Sequence, residues 1–172
     1  FWPIFDNFHL VYLGYDIDVV KPLLEEQVAE AQKWESEITT KSAKAAFNKA
    51  LADANTALSG DNGLVMFKSV SALVKAINAV KDGNALCQNM QETVEAFMTY
   101  AEDSSSPLAD EAKELGGTIF NKLEACELDE ADIEAYKLNL REMRLKMELP
   151  ADYTEGYADP QDLTAFIQTP NF

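Results

Sequence analysis

The stretch Gly63–Val80, GLVMFKSVSALVKAINAV, limits what this chain can fold into more than any other part of it. Placed on a helix, its polar residues Lys68, Ser71, Lys75 and Asn78 recur at spacings of three, four and three, which is one narrow stripe. Nearly everything else in the run is apolar, whereas a surface helix shows one apolar stripe and a wide polar face. Such a helix demands neighbours on most of its circumference, so the segments around it must supply apolar faces. At 1.5 Å per residue it spans roughly 27 Å. It contains Lys68 and Lys75, while a membrane span needs about 20 mostly uncharged residues. The expectation is the core helix of a soluble protein.

The flanking sequence reads as the required neighbours. A first helix over 17–38 turns Leu24, Val28, Ala31 and Ile38 inward, with Asp18 or Lys21 as its cap and Pro22 in the first turn, where a missing N–H costs nothing. A second, 41–58, presents Ala43, Phe47, Ala50, Ala54 and Ala57, a small-residue face suited to close approach. The polar run Ser59–Gly63 stops it, and the central helix follows over 63–81. Asp82-Gly83-Asn84 reads as its end, with a glycine fit for a left-handed cap. Helices over 85–102, 107–125 and 130–148 complete the set. Their apolar positions run through Met90, Val94 and Phe97, then Leu115, Ile119 and Leu123, then Leu140, Met143 and Met147. Gly116-Gly117 costs the fifth helix about 2 kcal/mol against alanines, which points to a kink or a close contact there.

The fold class expected is therefore all-α, a single-domain bundle of about six helices around 63–81. It carries an aromatic N-terminal segment over 1–15 and a mostly irregular acidic tail over 151–172, both folded onto the bundle. In the N-terminal segment Phe1, Phe5, Phe8, Tyr12 and Tyr15 recur at helical spacing.

Lys plus Arg total 14 against 30 Asp plus Glu, a net charge of −16. That balance speaks against nucleic acid and against anionic membrane surfaces, both of which call for a basic face. It suits solubility, a basic protein partner, a cationic ligand or divalent cations. His9 is the single histidine, so it reads as a packed or surface side chain rather than a metal ligand. The chain has no phosphate-cradling glycine loop, zinc signature, complete calcium loop or nucleophile elbow. No catalytic residue, metal or cofactor is expected.

The chain begins at Phe1 rather than Met, which gives the expectation of a removed signal peptide and an oxidising, extracellular setting. Cys87 and Cys126 fit that setting. If the fourth and fifth helices form a hairpin, the two thiols stand at heights that differ by roughly 3 Å, and a bridge between them would stabilise by about 3–4 kcal/mol.

Two functions suit such a chain. The first is a secreted carrier, not an enzyme, that holds a small apolar or amphipathic ligand among flexible and aromatic side chains: Met66, Phe67, Val70, Val74, Met90, Phe97, Met98 and Met143. The alternative is a secreted acidic interaction module, an inhibitor, effector or structural component, that acts on a basic partner through regions such as the tail.

Overall fold

The computed structural model describes residues 15–149. Most of the aromatic segment, His9 and the acidic tail lie outside them. The described residues form five helices: α1 (Ile17–Gln32), α2 (Lys41–Leu58), α3 (Gly63–Glu102), α4 (Ala109–Glu124) and α5 (Glu130–Glu148). No strand occurs among them, so the described residues are all-α, as expected.

The count of six does not hold for the described residues, because the helices read over 63–81 and 85–102 are one 40-residue helix. Gly83 does not cap it. A Cβ at Gly83 would collide with the Thr39 hydroxyl and crowd the Thr40 backbone N. The glycine is thus a close-approach point, at which the segment before α2 presses on the helix. Thr39 is fully buried there and donates from Oγ1 to the Val80 carbonyl at 3.1 Å. The Asn84 amide donates to the Ile38 carbonyl at 2.8 Å. Packing on this side outweighs the roughly 1 kcal/mol that a glycine costs a helix interior.

The first helix also differs from its expected bounds. Asp16 is its cap, accepting from the Asp18 N–H at 3.0 Å, and Pro22 lies within the helix rather than at its start. Its end comes at Gln32, where the Lys33 and Trp34 N–H groups turn back to the Glu30 and Ala31 carbonyls in a tightened last turn.

The described residues divide into two compact units, and α2 and α3 each contribute to both. One unit takes the residues up to Glu35 together with Phe47–Ile77. Its core is Leu24, Val28 and Ala31 from α1, Phe47 and Ala54 from α2, and Met66, Leu73 and Ile77 from α3. The chain enters α1 with the Tyr15 backbone lying on Gly63, where any side chain would strike the Tyr15 carbonyl. The Tyr15 ring sits 4.8 Å from that of Phe67. The predicted stripe of Lys68, Ser71, Lys75 and Asn78 is exposed, as its polarity requires. The apolar remainder is less enclosed than expected, because Leu64, Val65, Phe67 and Val74 are also exposed in the described structure. By length and composition α3 could cross a membrane, a test that the core helix of a soluble protein also passes.

The other unit takes Ser36–Ala46 and the residues from Asn78 onward. Cys87, Met90, Val94 and Phe97 of α3 pack with Ala112, Ile119 and Leu123 of α4 and with Ile133, Leu140 and Met147 of α5. Gly116 is buried against the Met98 side chain, so a close contact accounts for one half of the glycine pair. Near their C-terminal ends α3 and α5 meet through Tyr100 and Glu148, so these two helices run in the same direction.

Candidate functional site

Within this second unit α3 and α5 bound an open groove of about 480 Å³. Two helical stripes build it. Asn89, Thr93, Ala96 or Phe97, and Tyr100 follow one face of α3, while Lys137, Leu140 or Arg141, and Arg144 follow one face of α5. Both stripes keep the three-and-four spacing that places residues on one side of a helix. The floor is apolar: Phe97 is 7% exposed and Leu140 3%. The rim is cationic, and among the described residues no carboxylate lines the groove.

Each cation is held differently. Lys137 Nζ lies 2.7 Å from Glu134 one turn back on its own helix, and its stem is largely buried. Arg144 donates from Nε to Glu148 Oε1 at 3.0 Å and lays its guanidinium 4.7 Å from the Tyr100 ring centroid. Tyr100 donates its hydroxyl towards the same Glu148 oxygen at 3.4 Å. Desolvation first, and the Glu148 charge second, raise the Tyr100 phenol above its ordinary pKa and keep it a donor. Arg141 is exposed on the groove side and forms no ion pair among the described residues. The chain contains two arginines, and both stand in this groove.

A second open groove, about 500 Å³, lies in the first unit between α2 and α3 and has the opposite character. Asp53 and Asp61 share its lining with Lys68, and Asp53 is already paired with Lys49 at 2.8 Å.

The eight side chains read from the sequence as a ligand lining divide between the two units. Met66, Phe67, Val70 and Val74 belong to the first unit; Met90, Phe97, Met98 and Met143 belong to the second. Met66 and Met90 are wholly buried core residues, whereas Phe67 and Val74 face outward. Met98 fills the space over Gly116. Phe97 alone among the eight lines the α3–α5 groove. The residues that reading missed are Asn89, Thr93, Tyr100, Lys137, Arg141 and Arg144. A signal for part of them was present: in an acidic chain, Lys137, Arg141 and Arg144 put three cations on one stripe of a helix.

The expected Cys87–Cys126 bridge is not formed, and both thiols are free. Helix α4 stops at Glu124, so the rise per residue that levelled the two thiols no longer applies at Cys126. The chain closes there in a Schellman turn. The Cys126 N–H donates to the Leu123 carbonyl and the Glu127 N–H to the Lys122 carbonyl, each at 3.0 Å. Cys126 takes the left-handed position of that turn at φ 52°. Its backbone is committed to the cap rather than to presenting the thiol to Cys87. Burial, with Cys126 a lesser influence, pushes the Cys87 thiol up to about 11, so it is inert near neutrality.

Among the described residues no group of three or more His, Cys, Asp or Glu could hold a metal ion. No protein-family model, no curated protein and no solved structure matches this chain.

Proposed function

We propose that this chain is a binding protein, not an enzyme, and that it carries a small amphipathic molecule in the α3–α5 groove. One observation carries the reading: the core residues Phe97 and Leu140 form an apolar floor directly beneath a rim of polar and cationic groups. Ligand sites commonly pair an apolar lining with a few placed polar groups, and a volume near 480 Å³ lies within their usual range of about 300–1,000 Å³. The binding place is thus a groove on the side of a packed unit, not the methionine-lined interior first expected. The cysteine bridge expected in an oxidising setting is not formed, and carriage of a ligand does not depend on it.

The test is a fluorescence titration with phenylnaphthylamine, a neutral aromatic probe that brightens in apolar sites, followed by amide chemical-shift mapping. The expected result is saturable binding, with the largest shifts at Ala96, Phe97, Tyr100 and Leu140. Absence of saturable binding, or shifts confined to other helices, would overturn the proposal. The alternative, an acidic module for a basic partner, would instead show binding to a polylysine peptide that collapses as salt is raised.

A further inference from the structure

Resting on that reading, we infer that the groove selects ligands carrying an anionic group, a carboxylate, sulfonate or phosphate, and that Arg141 is the residue that reads it. A chain of net charge −16 repels anions at long range. Charges separated by more than about 8–10 Å are largely screened at physiological salt, however, so the groups in contact decide. Those groups are cationic. Lys137 and Arg144 are each balanced by one glutamate, Glu134 and Glu148, and neither glutamate lines the groove. Arg141 adds a positive charge with no carboxylate opposite it among the described residues.

The donor inventory points the same way. A guanidinium offers five N–H donors in a fork that matches a planar or tetrahedral oxyanion. Arg144 spends Nε on Glu148 and Lys137 spends one of three donors on Glu134, so both keep N–H groups for a ligand. On the opposite wall the Thr93 hydroxyl proton is committed to the Asn89 carbonyl at 2.8 Å. The charged groups that can recognise an anion therefore all stand on α5, while Phe97 and Leu140 take the apolar body. Arg141 lies one residue beyond Leu140, where the apolar floor gives way to the cationic rim.

The experiment compares two probes with the same ring system, anilinonaphthalene sulfonate and neutral phenylnaphthylamine, on the wild-type chain and on Arg141→Gln and Arg141→Lys. Arg141 is exposed, and circular dichroism verifies that both variants stay helical. The sulfonate should bind the wild type more tightly than the neutral probe and weaken as salt is raised. Arg141→Gln should cost the sulfonate about tenfold in affinity, leave the neutral probe within about twofold, and be partly restored by Arg141→Lys. Equal binding of both probes, or equal loss of both in Arg141→Gln, would overturn the inference while the carrier reading stands. If neither probe binds the wild type, both fall. Co-sedimentation with phosphatidylglycerol vesicles at the strength of the free sulfonate would overturn the assignment to a small free anion and move it to a lipid headgroup.

Discussion

The Asp129 carboxylate accepts a 2.9 Å hydrogen bond from the backbone N–H of Ser42, although 87 residues separate them in sequence. The Lys41 N–H donates beside it to the Leu128 carbonyl at 3.0 Å. The loop that opens α5 therefore also satisfies the orphan donors at the start of α2. Within that loop the Asp129 N–H donates to the Asp132 carboxylate at 3.0 Å, so one short segment anchors two helix starts.

This junction makes stability depend on pH. The Ser42 side chain first, then the Ser42 N–H and the Lys41 charge, hold the Asp129 carboxyl below its ordinary value of 3.8. A depressed folded-state pKa gives stability that is complete above the unfolded value and is lost as pH falls through the folded one. Asp129→Asn keeps an acceptor and removes only the charge. Its melting temperature should lie below that of the wild type at pH 7, and the gap should narrow below about pH 4. A gap unchanged at pH 3 would show that the charge at Asp129 contributes nothing to folding.

Gly83→Ala tests the contact that makes α3 one helix. In an open helix the change would stabilise by about 1 kcal/mol. Here the new Cβ meets Thr39 and Thr40, and overpacking of that kind costs about 1–3 kcal/mol. The clash also loosens the buried Thr39 bond to Val80. The expected outcome is a net loss and a lower melting temperature by thermal denaturation. A gain would mean that this glycine is tolerated rather than required.

That junction also shows what the sequence could and could not disclose. The bounds of α2 and α5 were legible from periodicity alone, because the alanine spacing of the one and the Leu140, Met143, Met147 repeat of the other are local signals. The break read at Asp82-Gly83-Asn84 was a correct reading of local propensity. It failed because the reason for Gly83 is Thr39, 44 residues earlier. The groove was hidden for the same reason. Its cations share a visible stripe on α5, but the absence of an opposing carboxylate depends on α3 and α5 lying side by side. The methionines first read as a lining are spread over two units because helical periodicity tells which residues turn inward, not which helices meet.

The two adjacent glycines of α4 should respond in opposite ways. Gly117 has open space around a built Cβ, so Gly117→Ala should raise stability by about 0.5–1 kcal/mol. At Gly116 the Cβ would come within 2.5 Å of Met98 Cγ and 3.1 Å of its sulfur. Gly116→Ala should therefore destabilise by about 1–3 kcal/mol unless Met98 moves. Double substitution with Met98→Ala should recover part of that loss. Parallel urea titrations decide the matter, and equal effects at both positions would refute the packing account of α4.

Cys126 provides the last test, because its backbone and its thiol make separate predictions. An L-residue in the left-handed region costs about 1–2 kcal/mol, and glycine removes that cost while adding about 0.5–1 kcal/mol of unfolded-state freedom. Cys126→Gly should thus stabilise by about 0.5–1 kcal/mol, which would be impossible if the side chain formed a structural bridge. The thiols should also differ in rate: half-buried Cys126 should alkylate with iodoacetamide well before Cys87, which is 1% exposed. Intact mass of untreated protein should show two free thiols. A mass lower by two hydrogens, together with a destabilised Cys126→Gly variant, would restore the bridge and overturn the capping role assigned to Cys126.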